Sequence, residues 1–432
     1  MSPGVFSLVF VTCLGVTLAA RLWLSRRQVA HVRAHRGAVP PAFAGRIPDA
    51  AHAKAADYTV AKETQGEVET VVDALLLLAL TLGGGLALLL AWTERLDVSP
   101  LWRDVLLLAG VAVISGLVGL PFSWWQTFRL EERFGFNRTT MKLWLTDLVK
   151  MVAIAVVLGV PVALVAVWLM THAGGLWWIW VWAAWMAFQM LLLVLFPTVI
   201  APLFNKFSPM PDSPARARIE ALLARCGFAA RGLFVADGSK RSGHSTAYFT
   251  GFGRARRVVF YDTLLARLTP DEIEAVLAHE LGHFKLRHVV KRVLLSAVLS
   301  LVFLALLAWL ATKPWFYAGL GIPPDAIDAA MARPGVALAL FMLALPVFTF
   351  ALGPLAALYS RKHEFEADAF AARHASAVAL TQALVKLYED NASTLTPDPL
   401  HSAFYDSHPP AAIRVARLDT LAAASAATPM PA

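Results

Sequence analysis

The sequence predicts a mainly α-helical, polytopic membrane protein that carries a small α+β region on one side. Three observations lead there. Hydrophobic residues make up 58% of the 432 positions and charged residues only 16%, against about 45–50% and about 25% in ordinary globular domains. Seven apolar runs are long enough for a hydrocarbon core about 30 Å thick, which takes about 20 helical residues; they lie near 4–24, 70–92, 104–127, 151–170, 175–196, 293–312 and 335–358. Two polar stretches, 197–292 and 359–432, remain between and after them.

The first run is expected to be an uncleaved anchor, since no basic residue precedes it while Arg21, Arg26 and Arg27 follow. Positive charge is then concentrated on one side. Arg26, Arg27, Arg33, Arg36, Arg46, Lys54 and Lys62 lie between runs one and two, and Arg129, Arg133, Arg138, Lys142 and Lys150 between three and four. The opposite loops hold only Arg95, Arg103, Lys313 and Arg333. The positive-inside bias puts the N-terminus outside and both polar stretches in the cytoplasm. It also accounts for most of the +8 net charge, so no nucleic-acid partner is expected. Asp73, Asp104 and Asp147 near the span ends are expected to face interfacial water.

The chain divides into a membrane domain of five helices (1–196), a first protease segment (197–292), two further spans (293–358), a second protease segment (359–420) and a tail (421–432) whose Ala, Ser, Thr and Pro content reads as disordered. Within the first polar stretch a helix is expected near 214–226, then a hairpin-like pair of strands at 245–250 and 256–261. A helix start follows at Thr269-Pro270, with Glu272 three residues after the cap.

That helix carries His279-Glu280-Leu281-Gly282-His283. Histidines four apart share one helical face and can bind one metal ion, while Glu280 can reach a water on it. With only Cys13 and Cys226 in the chain, no thiolate cage is available. Two imidazoles and a carboxylate suit catalytic zinc, which acidifies a bound water. The third ligand is expected from Glu364-Phe365-Glu366-Ala367-Asp368. Glu364 and Asp368 are four apart and share a face, so Glu364 is assigned to the metal and Asp368 to a hydrogen bond with a ligand imidazole, with Glu366 as the alternative ligand.

The chain resembles the type I CAAX prenyl endopeptidases along nearly its whole length. The resemblance rests on Glu132-Arg133-Phe134-Gly135-Phe136-Asn137, Pro202-Leu203-Phe204-Asn205-Lys206-Phe207, Asp237-Gly238-Ser239-Lys240-Arg241-Ser242, Asp262-Thr263-Leu264-Leu265, residues 279–283, Ser360-Arg361 with Glu364 and Asp368, and Ser407-His408-Pro409-Pro410. It implies seven helices around an intramembrane chamber with a gluzincin-like zinc protease region, and one Zn2+ per chain. It further implies His279, His283 and Glu364 as ligands, Glu280 as the base, Asp368 and Arg361 behind the ligands, and His408 beside the oxyanion. Thr246, Ala247, Tyr248 and Phe249 match the substrate strand, although Thr246 replaces the family's usual Asn.

The implied substrate is a peptide or protein, prenylated or membrane-embedded, cleaved at the lipid bilayer by a monomer. Ala- and Arg-rich usage suggests a bacterial inner membrane; in a eukaryote it would be the endoplasmic reticulum. A quality-control membrane metalloprotease is the competing enzyme reading, and a transporter or scaffold with structural zinc the competing class.

Overall fold

The computed structural model describes residues 1–228, 232–244, 247–250 and 257–427, the side chains of 247–250 and 425–427 excepted. Six helices are apolar and long enough to cross a bilayer: Pro3–Ala34, Pro100–Glu131, Met141–His172, Gly174–Phe204, His288–Leu310 and Pro334–His374. A seventh crossing is broken into Asp49–Leu80 and Gly85–Glu94, bent by 49°. The break falls inside the run expected near 70–92, where Gly84 takes φ 78, a left-handed conformation open to glycine because it lacks a Cβ.

Several of these helices outlast the membrane. Pro3–Ala34 has 32 residues, about 48 Å at 1.5 Å per residue, against a core of about 30 Å. Its surplus end reaches the last polar stretch: Arg27 pairs with Asp398 at 2.9 Å, and the Gln28 Oε1 accepts from the Asp398 backbone N–H at 2.6 Å. Phe43 and Ile47, in the first basic loop, pack against Val385, Leu395, Ala411 and Val415. Leu130, Phe134 and Phe136, around the second basic loop, pack with Ala55, Tyr58 and Ala392. The positively charged loops and the soluble region therefore gather at one end of the bundle.

A separate apolar cluster of Phe6, Phe10, Leu86, Phe316, Tyr317 and Leu340 closes the other end. There the structure corrects one reading. Asp104 does not face water; it is 2% exposed and its Oδ1 accepts from the Arg333 Nε at 2.7 Å. Asp147 likewise pairs with Arg241 at 2.8 Å. The spans differ in how much they pack against the chain: 6% of the apolar window in Met141–His172 is buried, against 44% in Pro334–His374.

The soluble region holds a four-stranded sheet, β1 (Phe207–Pro209), β2 (Leu233–Ala236), β3 (Ala247–Thr250) and β4 (Arg257–Tyr261), in the order β1-β2-β4-β3. β3 and β4 form the expected antiparallel pair, Tyr248 opposite Val259. β2 runs parallel to β4 and antiparallel to β1; β1 and β2 escape sequence reading. Val258, Val259 and Phe260 are all buried, as befits a central strand covered on both faces.

One core joins both polar stretches. Ile219, Leu222, Phe260, Leu277 and Leu281 from the first pack with Phe370, Leu380, Leu384 and Leu418 from the second. The helix Ala411–Ala427 runs through most of the segment expected to be a disordered tail, because Leu418 and Leu421 dock in this core and alanine favours the helix. Residues 428–432 lie outside the described residues.

The HELGH helix (Pro270–Lys285) starts with the expected capping box, the Thr269 side chain accepting from Glu272 N and Glu272 accepting from the Thr269 backbone. It lies very close to the helix Gly353–His374: a Cβ at Gly282 would stand 3.0 Å from Ala367 Cα and 3.0 Å from Phe370 Cβ. Neither is the end of a flexible chain, so the helices must part. Gly282→Ala is expected to destabilise the protein by about 1–3 kcal/mol through overpacking, read as a lower thermal midpoint in detergent, and to weaken metal retention, because the two helices each hold ligands.

Candidate metal centre and active site

The capping box and the buried core face fix the HELGH helix, and its residue spacing then places two imidazoles on one side. His279 is buried, and its Nε2 lies 3.2 Å from the Nε2 of His283. Glu364 comes from the neighbouring helix. Its Oε2 is 3.4 Å from His279 Nε2 and its Oε1 3.3 Å from His283 Nε2. All three donor atoms lie within 4.8 Å of one another. Glu364 Oε2 is buried without a hydrogen-bond partner. A buried carboxylate oxygen left open beside two imidazole nitrogens is costly alone and fits a cation, so this donor set suits a zinc ion.

Asp368, one turn after Glu364, accepts from His279 Nδ1 at 2.8 Å. That bond fixes the proton on Nδ1 and leaves the Nε2 lone pair facing the other ligands. Glu366 points away, as the spacing requires, and its Oε2 meets His288 Nε2 at 2.9 Å.

Arg361 does not reach the ligand cluster directly. Its Nη1 donates to the carbonyls of Ser402 and Asp406 at 2.8 and 3.1 Å, bracing the turn that leads to His408. The group behind the ligands that sequence reading missed is Arg414. Its Nε and Nη2 donate to Asp368 Oδ2 and Oδ1, each at 2.7 Å, and it is 5% exposed. One signal was available: Arg414 sits among Ala411, Val415 and Leu418, all buried, so it is a charge on the apolar face of an amphipathic helix.

His408 stands at the open side of the site, its Nε2 3.6 Å from Glu364 Oε2. Desolvation by the surrounding site lowers its imidazole from the usual histidine range, although the side chain stays open to solvent. Glu280 is partly buried, and burial pushes its carboxyl up; it accepts a proton more readily than a solvated carboxylate. The backbone of Ala247, Tyr248 and Phe249 forms β3, the last strand of the sheet beside the HELGH helix. Thr246 lies outside the described residues.

The chain matches two family models that together span most of its length. "CAAX prenyl protease N-terminal, five membrane helices" covers residues 28–206, and "Peptidase family M48" covers 209–422. The chain belongs to the CAAX prenyl protease family. It is 38% identical to the CAAX prenyl protease 1 homolog of Arabidopsis thaliana over 72% of each chain. It is 35% identical to CAAX prenyl protease 1 of Saccharomyces cerevisiae over 74% of this chain and 73% of that one. The crystal structure of S. mikatae Ste24p superposes with a TM-score of 0.88 at 30% identity, covering 96% of this chain and 99% of that one. As a member of this family it is a multi-pass membrane metalloendopeptidase acting on peptide or protein substrates.

Arg414 pairs a carboxylate that is almost wholly buried. Arg414→Met should leave Asp368 uncompensated and cost about 3–5 kcal/mol, read as a lower unfolding midpoint, together with roughly 10–100-fold weaker metal affinity by chelator competition. Unchanged metal affinity would mean that Asp368 orients His279 without this support.

Proposed function

We propose that the protein is a zinc-dependent endopeptidase for CAAX-type prenylated or other membrane-associated peptides, with one Zn2+ held by His279, His283 and Glu364. The convergence of two imidazole nitrogens and one carboxylate oxygen within 4.8 Å, beside the end strand of a sheet, carries this reading. Zinc supplies a Lewis acid that polarises a carbonyl and acidifies water. Glu280 takes the proton from the attacking water and delivers it to the leaving amine; its raised proton affinity suits that exchange. His408, its Nε2 3.6 Å from Glu364 Oε2, donates a hydrogen bond to the oxyanion as it forms. Asp368 holds His279 in the Nδ1–H tautomer, and Arg361 keeps the His408 turn in position.

An extended substrate pairs with the backbone of Ala247, Tyr248 and Phe249. Pairing through main-chain groups sets register without demanding a particular side-chain sequence. The relatives' printed names support CAAX peptides as the substrate class, and an active site bordering seven spans suits a lipid-anchored one. The grouping of basic loops at the protease end supports a cytoplasmic active site with the N-terminus outside. We read the chain as a monomer in a bacterial inner membrane.

Glu280→Gln is expected to abolish hydrolysis of a farnesylated CAAX peptide while zinc content stays at one per chain; cleavage persisting in zinc-loaded variant would overturn the role of Glu280. Replacing one substrate amide with its N-methyl analogue at the position facing β3 should raise KM about 10-fold or more through loss of a main-chain hydrogen bond and steric crowding. A chain that instead cleaves an unfolded membrane protein and ignores the prenylated peptide has the quality-control function.

A further inference from the structure

We infer that His288 and Glu366 are positioning residues for the metal centre, forming a hydrogen-bond relay that ends on His283. The inference rests on His283 being a metal ligand, as proposed above. His283 turns Nε2 toward His279 and Glu364, so that nitrogen needs its lone pair free and the ring proton sits on Nδ1. His283 Nδ1 lies 3.0 Å from His288 Nδ1. With His283 donating, His288 Nδ1 must accept, which puts the His288 proton on Nε2. That nitrogen is 2.9 Å from Glu366 Oε2, an acceptor only. Every proton in the chain His283 to His288 to Glu366 thus has one direction that satisfies all the groups. His279 is held by a carboxylate directly; His283 is held by a carboxylate through a second imidazole.

The backbone is shaped for this contact. The HELGH helix ends at Lys285, and Arg287 takes φ 58, a left-handed conformation that costs a non-glycine residue free energy. The next helix begins at His288, so the chain changes course across Leu286 and Arg287 and brings this ring against His283. His288 is 1% exposed. His363 covers its other face, the rings stacked at 4.0 Å and 10°.

His288, His363 and Glu366 also form a second group with donor atoms within 4.8 Å, but the stacking argues against a second ion. A ring nitrogen binds metal in its own plane, at about 2.0–2.1 Å for zinc. Face-to-face rings cannot both aim their lone pairs at one ion without rotating out of the stack. Lys291 and Lys362 approach Glu366 at 3.9 and 4.0 Å, and their charge further disfavours a cation there.

The test uses the purified full-length protein in detergent, with zinc affinity read by chelator competition and zinc content counted per chain. His288→Ala should weaken zinc binding by roughly 10–100-fold, the scale for losing a ligand's hydrogen-bond partner. Glu366→Ala, one bond further out, should weaken it about 3- to 10-fold, and Glu366→Gln should recover most of that loss because its amide oxygen accepts the same proton. If His288→Ala does not fold, the Glu366 pair decides, since that carboxylate is one-third exposed at the surface. Glu366→Ala binding zinc as tightly as the parent overturns the relay. So does a second zinc per parent chain that Glu366→Ala loses. His283→Ala separates the two levels: if it binds zinc normally, the ligand assignment itself fails, whereas its loss of zinc with Glu366→Ala unaffected removes the relay alone.

Discussion

The close contact between the HELGH helix and the helix carrying Glu364 is the constraint on which the site depends. Gly282 meets Ala367 and Phe370 at a separation that leaves no room for a Cβ. Since His279 and His283 stand one turn apart on one helix and Glu364 one turn before Asp368 on the other, this approach sets the distance between the imidazoles and the carboxylate. The glycine is thus required by helix packing, while its neighbours serve chemistry. The apolar residues beneath, including Leu277, Leu281, Phe370 and Ala371, keep both helices from sliding.

Placing charged and polar groups in a nearly dry interior needs compensation, and the carboxylates behind the ligands have it. Asp368 takes bonds from Arg414 on two sides and from His279. Glu272, which caps the helix, also receives Lys386 at 2.7 Å. Glu364 Oε2 is left without a hydrogen bond, and a metal ion would satisfy it. The membrane end follows the same rule at Asp104 and Arg333, where a buried charge in one span meets one from the loop before another. The site and the span ends are therefore ordered by one requirement, that a charge removed from water must find its opposite.

The bundle and the soluble region are mechanically connected through the helices that outlast the bilayer. The first span reaches Asp398, just before the turn to His408, and Arg361, in the extension of the last span, braces that same turn. The turn leading to His408 is thus positioned by the membrane helices as well as by the neighbours of the HELGH helix.

Apolar length was enough to find the spans, since a helix in hydrocarbon must be apolar throughout, and the basic loops fell on one side because charge resists transfer. The HELGH spacing and the four-residue interval between Glu364 and Asp368 gave the candidate ligands from helix periodicity, with Glu366 as the alternative, which the structure turns toward His288. Local sequence could not find β1 and β2, since β1 is held by pairing with β2 and β2 by pairing with β4, partners distant in the chain. It misread 421–427 by composition, because docking of Leu418 and Leu421 outweighs the local bias. Arg414 and His288 escaped it as well, since what each side chain does is set by a partner distant in sequence or by the left-handed backbone at Arg287. The sequence by itself determined the membrane class, the span count and the metal-binding residue types, all of which follow from periodicity and solvation. Tertiary structure alone decided which buried charge answers which, because that depends on packing between helices far apart in the chain.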